Sequence, residues 1–409
     1  MFQALDKKSI VIIGPLLFLF LLFLVHSSRD RYLTNISNEN LSSTYSPAIA
    51  SFEDSSTHQQ HDNEDNDDYD NKNVDYDEEV NSHSSEQKGP DYLNAFLSSL
   101  NNNGPFPIII GGIGDSGTRG VRQVLRDFGV QMLAEPFVNG QGDSLIYEKR
   151  FTVFDPKSNT WSERTSRMLY KQGIHRSRTL RYNQSYFSSK AWEWGRQFIG
   201  IMLGKTRNVS AALRAANGKD LGLWGMKHPR TLLILPFLIS ALGEKMKFIH
   251  VLRDPKEVVS GDNQQMFLGE CHRYYGRSRC SRGFEKKYEF WTDLNLDAFR
   301  IAKSFMTNNS YLVVRTEDFV SGTRECFERL AKFVGVSQND IDSKIDIAIK
   351  NSMAHAAPYF GRGKNENMKS QLYAALKVAP SRVPMTIDLF GYSQKFFSLT
   401  CKCTDIPGP

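Results

Sequence analysis

Ser116, Gly117, Thr118 and Arg119 put two hydroxyl donors, a flexible backbone and a cation into four consecutive residues, directly after Gly111, Gly112 and Gly114. Those types at that spacing suit the binding of an anion. Ahead of them, Ile108, Ile109 and Ile110 form a short apolar run fit for a strand buried on both faces. Behind them, from Thr118 onward, Val121, Val124, Leu125 and Phe128 fall at helical spacing, and Gly129 sits where a left-handed cap would end the helix. A glycine turn leading into a helix N-terminus presents unpaired N–H groups and the positive end of the helix dipole, which favours phosphate or sulfate. A tight strand-to-helix turn that holds nothing would carry the same glycines, so the hydroxyls and Arg119 bear the weight of the anion reading.

A second cation stands in a similar place. Lys247 to Leu252, KFIHVL, reads as another buried strand; it ends at Arg253, and Asp254 and Pro255 turn the chain into a helical run. A third strand is expected at Tyr311 to Val314, followed by Thr316, Glu317 and Asp318 and by an amphipathic helix with Phe327, Leu330, Ala331 and Val334 on its apolar stripe. Strands separated by helices argue for a parallel α/β sheet with its ligand at the carboxyl ends of the strands, where both the glycine turn and Arg253 lie. Two anion sites on neighbouring strands suggest a nucleotide held at its 5′ and 3′ phosphates. The frame Gly112 to Thr118 has Walker spacing, but Thr118 stands where the Walker Lys belongs, which counts against ATP-driven phosphoryl transfer.

The charge of the 409-residue chain is divided unevenly. Residues 1–100 carry 6 Lys and Arg against 17 Asp and Glu, so the overall +6 conceals a strongly basic remainder suited to an anionic ligand or substrate. Ile10 to Val25 is sixteen uncharged residues after Lys7 and Lys8. As a helix it would span roughly 24 Å, enough for a thin bilayer with its flanks included. With no A-x-A-like cleavage site after it, an uncleaved anchor is favoured over a signal peptide. From Ser27 to about Gln87 apolar periodicity is almost absent, and Asp62 to Glu79 is too acidic to bury a core, so this segment reads as a disordered stem whose D-x-D triplets follow from composition. Asn35, Asn40, Asn183, Asn208 and Asn308 each begin an N-x-S sequon, in keeping with a glycosylated lumenal chain. The five cysteines show no zinc-like spacing; Cys271 and Cys280 could close a short loop in an oxidising lumen, and the odd total leaves at least one thiol unpaired within the chain.

Taken together, these residues resemble the sulfotransferases that use 3′-phosphoadenosine 5′-phosphosulfate (PAPS). The SGT loop, VLRDPKEVVSGDNQ from Val251 to Gln264, WGMKHPR from Trp224 to Arg230, RTEDF from Arg315 to Phe319 and LFGY from Leu389 to Tyr392 are each similar to segments of that family, over roughly 104–395. The resemblance implies that Gly114, Ser116, Gly117, Thr118 and Arg119 meet the 5′-phosphosulfate and that Arg253, with Ser260 or Gly261, meets the 3′-phosphate. Two positions depart from the family pattern. Asp115 stands where a Lys or Arg usually precedes SGT, and Gly261 stands where a Ser usually follows the Arg by eight residues, with Ser260 one residue early. The loop, with DNQ at Asp262 to Gln264 after the helix turn, resembles a subgroup of that family with GDSGTR loops.

Sulfonyl transfer needs a base for the acceptor, a cation for the bridging oxygen and no metal. Glu135 and Asp143, in EPFVNGQGD after the first strand–helix unit, are candidate bases, though Glu135 reads equally as a surface acid and Asp143 as a turn former. Lys227, before His228 and Pro229, is the favoured cation, with Arg119 as its rival and a structural role as the alternative; Trp291 and Asn295 read as core residues. The expected architecture is a three-layer, P-loop-like parallel sheet flanked by helices, the sulfotransferase fold. Its expected divisions are a cytoplasmic tail at 1–8, a transmembrane signal-anchor at 9–26, a disordered acidic stem at 27–101 and the sulfotransferase domain at 102–400. The expected activity is sulfonyl transfer from PAPS to a hydroxyl or amine of a glycan or glycoprotein, in a single-pass type II Golgi membrane protein with no nucleic-acid partner. A non-catalytic member that binds nucleotide or glycan is the second reading, and a P-loop nucleotide kinase the third.

Overall fold

The computed structural model describes residues 91–101, 105–148, 151–155, 160–164, 193–261, 271, 283–356 and 366–392. The expected membrane span, most of the stem, three of the sequons and Cys280, Cys401 and Cys403 lie outside these residues. Among the described residues no helix is long and apolar enough to cross a membrane.

Five parallel strands form the central sheet: β1 (Ile108–Gly112), β2 (Gln131–Met132), β5 (Trp224–Lys227), β6 (Lys247–Leu252) and β7 (Tyr311–Arg315). Their order is β2-β5-β1-β6-β7, with the antiparallel pair β3 (Phe151–Asp155) and β4 (Thr160–Arg164) separate from it. The helices are α1 (Tyr92–Asn101), α2 (Thr118–Asp127), α3 (Leu145–Glu148), α4 (Glu193–Ala215), α5 (Leu235–Leu242) and α6 (Pro255–Val259). They continue with α7 (Phe284–Phe305), α8 (Thr316–Val320), α9 (Arg324–Val334), α10 (Ile341–Ala356), α11 (Glu366–Val378) and α12 (Arg382–Leu389).

The period-2 alternation of the strands divides the core into two clusters, one on each face of the sheet. Ile108 and Ile110 of β1, with Ile249, Val251, Leu312 and Val314, pack against α2, α9 and α10. Ile109, with Trp224, Met226, Phe248 and Val313, packs against α1, α4, α5, α7 and the C-terminal helices. A sheet covered on both faces needs apolar residues at successive positions, which is why the three isoleucines stand together. This is the three-layer parallel architecture expected, and β1, α2, β6, β7 and α9 fall where the periodicity puts them. Gly129 closes α2 with φ 87°.

Two expectations are corrected. WGMK was not read as a strand, yet β5 lies between β2 and β1, with Ile110 in register with Lys227. Four residues carry too little pattern to be recognised alone, and pairing on both sides supplies the order. The stem boundary at 101 also moves toward the N-terminus. Tyr92–Asn101 is a helix whose Leu93, Phe96 and Leu100 are buried in the larger cluster. Gly200 of α4 lies so close to it that a Cβ there would come within 2.6 Å of the Leu93 Cα.

Candidate functional site

Three parallel strands, β5, β1 and β6, deliver the site residues at their carboxyl ends, with β7 bracing the outer side. The turn after β1 is fixed by the Ser116 amide, which donates to the Ile113 carbonyl at 3.0 Å, and by Thr316 at the end of β7, whose hydroxyl donates to the Ser116 carbonyl. Gly117 has φ 86°, and a Cβ on it would lie 2.3 Å from Thr316 Oγ1, so both backbone conformation and close approach demand glycine. Within this frame the amides of Gly117, Thr118 and Arg119 take no hydrogen-bond acceptor among the described residues. These are the orphan donors of the first helical turn. Ser116 Oγ is buried and also has no partner there. An unsatisfied buried hydroxyl costs about 1–3 kcal/mol, so an oxyanion placed here would recover a penalty already present.

Lys227 closes β5 and is buried. Its ammonium donates to the Gln141 carbonyl at 3.0 Å and forms an ion pair with Asp143. Asn139 shapes the segment that brings Asp143 back: its Oδ1 accepts the amides of Gln141 and Asp143, both at 2.9 Å, and its Nδ2 donates to Asp143 Oδ2 at 3.1 Å. The Ser144 amide then donates to the Lys227 carbonyl at 2.9 Å. Burial lowers the Lys227 pKa, Asp143 opposes that shift, and the nearby guanidinium groups of Arg119 and Arg122 add to it. The sequence places Lys227 ahead of a helix with Pro229 fixing its approach; the 3-10 turn Pro229–Ile234, capped by His228, and then α5 do follow it and lead to β6, and Lys227 itself ends a strand.

The turn after β6 is arranged differently. Arg253 Nη1 donates to the Asp115 carbonyl at 3.1 Å, and Nη2 lies 3.7 Å from Glu257 Oε2. The Ser260 hydroxyl donates to the Lys256 carbonyl, back along its own helix. Behind this turn lies a buried polar network. The Asp254 amide donates to Glu317 Oε1 at 2.8 Å, and the Tyr392 hydroxyl donates to Glu317 Oε2 at 2.9 Å. Arg315, fully buried, makes paired hydrogen bonds of 3.0 Å to both oxygens of Asp318 and one of 3.2 Å to the Gly391 carbonyl. RTEDF and LFGY, far apart in sequence, are therefore the two halves of the brace that holds the Arg-Asp-Pro turn. Burial pushes the Asp254 carboxyl up to about 7 and raises Glu317 as well.

The structure thus pairs Lys227 with Asp143, with Arg119 near enough to act on its charge, on the β5 side of β1, sets Ser116 and Gly117 against Thr316 on the side of β6 and β7, and joins Asp115 to Arg253 and Gly261. Gly114 is buried within the first turn. Glu135 is exposed on the segment that leads to Asp143 and shares in none of these groups. Trp291 and Asn295 are buried in the core, where Asn295 Oδ1 accepts from His250 Nε2 at 2.9 Å. Asn208 and Asn308 are exposed, and Asn35, Asn40 and Asn183 lie outside the described residues. Thr316, Asn139 and Arg122 were missed. Arg122 had a signal, since it follows Arg119 by three residues on the same helical face. Thr316 had none, because it reaches Ser116 across 200 residues of sequence.

No curated protein matches the chain. Among solved structures it is similar to sulfotransferase STF1 from Mycobacterium tuberculosis H37Rv, with 13% identity over 69% of this chain and 81% of that one and a TM-score of 0.34. It is also similar to sulfotransferase STF9 from Mycobacterium avium, with 10% identity over 76% and 83% and a TM-score of 0.39. A third likeness is to retinol dehydratase in complex with androsterone and inactive cofactor PAP, with 14% identity over 70% and 84% and a TM-score of 0.29. The model of the sulfotransferase family matches residues 107–340, which span the turn after β1, Lys227, the Arg-Asp-Pro turn and the RTEDF half of the brace behind it, and the chain belongs to that family.

Proposed function

We propose that this protein transfers a sulfonyl group from PAPS to a hydroxyl or amine of a glycan or glycoprotein in the secretory pathway. The observation that carries the reading is the pair of buried Lys227 with half-buried Asp143 at the end of β5, beside a turn whose amides and Ser116 hydroxyl take no acceptor among the described residues. Ser116, Gly117 and Thr118 hold the 5′-phosphosulfate, and Arg253 turns to the 3′-phosphate. The acceptor oxygen or nitrogen attacks sulfur as the bond from sulfur to the bridging phosphate oxygen breaks. Asp143 takes the acceptor's proton, and Lys227 meets the charge that grows on the bridging oxygen of the departing 3′-phosphoadenosine 5′-phosphate (PAP). Burial of Lys227 supports this role, because a cation in a water-poor site acts on developing charge without solvent screening. Because both a cation and a carboxylate remain at the site, catalysis is favoured over a purely binding role.

The lumenal setting is proposed on two grounds. Cys271 and Cys326 both take part in disulfides, which persist in oxidising compartments. The uncharged run Ile10 to Val25 would hold the chain as a type II Golgi membrane protein, with the basic domain facing anionic glycans.

The test is transfer of labelled sulfate from PAPS by the full-length protein across a glycan panel. Lys227→Met is expected to lower turnover by about a hundred- to a thousandfold while PAP affinity stays within a few fold, as for a contact made mainly in the transition state. Because that change leaves half-buried Asp143 without its cation, the pair variant Lys227→Met, Asp143→Asn controls for folding. Unchanged turnover in a folded variant would remove Lys227 from the chemistry.

A further inference from the structure

The two departures from the family pattern, Asp115 and Gly261, meet in space. Asp115 is the one non-glycine residue with positive φ among the described residues, at 65°. Its carbonyl accepts Arg253 Nη1, and its carboxylate lies against the Gly261 backbone: a Cβ on Gly261 would come 2.7 Å from Asp115 Oδ2 and 3.4 Å from Cγ. On its other side that Cβ would meet the Glu257 carbonyl at 3.3 Å, so residue 261 has no room to retreat. Asp115 Oδ2 is itself shielded from solvent. The carboxylate therefore fills the volume that a side chain at 261 would need.

We propose that Asp115 is a positioning residue that sets the separation and orientation of the two anion-binding turns. It acts through Gly261 and Arg253 rather than on the sulfonyl group. The sheet order supports this. β5 and β6 flank β1 on opposite sides, so Lys227 ends the strand on one side of the first turn while Asp115 leans toward the turn after β6 on the other. The carboxylate wedges the start of the segment after α6 at a fixed distance, and the same residue's carbonyl aims the guanidinium of Arg253. Together these make the spacing between the 5′ and 3′ contacts a property of one residue. A serine at 261 would overlap the Asp115 carboxylate where it now lies. The two positions are thus one structural choice, and the pair is read as a matched substitution rather than as two separate losses.

The test is a double-mutant cycle in the full-length protein, read by melting temperature and by calorimetry with PAP and with 5′-AMP. Gly261→Ser alone should lower the melting temperature by several degrees and weaken PAP by about tenfold, with 5′-AMP changed less than threefold, because the damage falls on the 3′ side. Asp115→Gly removes the carboxylate while allowing φ 65° without strain. Combined with Gly261→Ser, it should recover the melting temperature and bring the ratio of PAP to 5′-AMP affinity back to within threefold of the Asp115→Gly parent. Asp115→Asn with Gly261→Ser should stay impaired, because an amide fills the same volume. Additive effects in the glycine pair, full recovery with asparagine, or no effect of Gly261→Ser would each overturn the proposal. Its second arm rests on the nucleotide reading above. A wild-type protein that melts cooperatively but binds neither nucleotide would sink that reading, while the melting-temperature cycle would still decide the packing of residues 115 and 261.

Discussion

The turn after β1 and the turn after β6 both present donors at the carboxyl edge of the sheet, but the first keeps its donors open and the second has already engaged them. In the first, Thr316 clamps the backbone from outside, and the Ser116 hydroxyl and three amides take no acceptor among the described residues. In the second, Arg253 is engaged by the Asp115 carbonyl and lies near Glu257, and Ser260 by the Lys256 carbonyl. A preorganised turn returns the full value of each contact to a ligand, whereas a turn that must exchange partners returns only the difference. The 5′ end of a nucleotide should therefore supply most of the affinity, and the 3′ end most of the discrimination.

The largest effect expected is from Gly117→Ala, which breaks the open turn itself. An alanine at φ 86° costs roughly 1–2 kcal/mol in conformation, and its Cβ would meet Thr316, adding roughly 1–3 kcal/mol of overpacking. Denaturant unfolding should show both, and nucleotide binding should fall by more than a hundredfold; near-normal binding would mean that the turn is not preorganised. Next, Ser116→Ala should weaken PAP and 5′-AMP alike by roughly ten- to a hundredfold, the worth of a hydrogen bond to a charged group, while leaving the free protein as stable or more so. Loss of stability without loss of affinity would show that the hydroxyl serves the fold and not a ligand.

Arg253→Ala should weaken PAP by about tenfold, the lower end for a charge-assisted contact because protein partners are given up in exchange, and should leave 5′-AMP within threefold. Equal affinity of the wild-type protein for both nucleotides would remove the 3′ subsite.

The smallest effect belongs to the proton held behind the second turn. The Asp254 carboxyl is raised by burial to about 7, so the folded protein keeps a proton that the unfolded chain releases near pH 4. Its contribution to stability is full below about pH 4 and is lost progressively as pH rises from there through about 7. His250, lowered by burial to about 4, has the opposite sign and costs stability as pH falls below about 6.5. It is common to wild type and variant and cancels in their difference. Asp254→Asn, which can still accept the Lys256 amide, should therefore come closest to wild type near pH 4 and exceed it by a few degrees in melting temperature near pH 8. The same difference at both pH values would show that Asp254 does not hold the proton.

Local pattern alone determined a good deal of this protein. The three isoleucines, the glycine turn and the stripe from Val121 to Phe128 specify β1 and α2, because a strand buried on both faces and an amphipathic helix each leave a periodic trace. KFIHVL and the run ending at Arg315 did the same for β6 and β7, and the residue types in SGT and Arg-Asp-Pro pointed to the carboxyl edge of the sheet as the place to look for a site. What pattern could not supply was distance. WGMK is too short to declare itself, and it becomes a strand only by pairing between β2 and β1. Leu93, Phe96 and Leu100 looked like the end of a stem until α4 offered Gly200 for them to approach. The Lys227–Asp143 pair, the Thr316 clamp on Ser116 and the contact of Asp115 with Gly261 join residues from different strand ends. Two residues that seemed to be separate losses are neighbours, because parallel strands bring remote segments to one edge of the sheet, and only the folded backbone sets which side chains then share a volume.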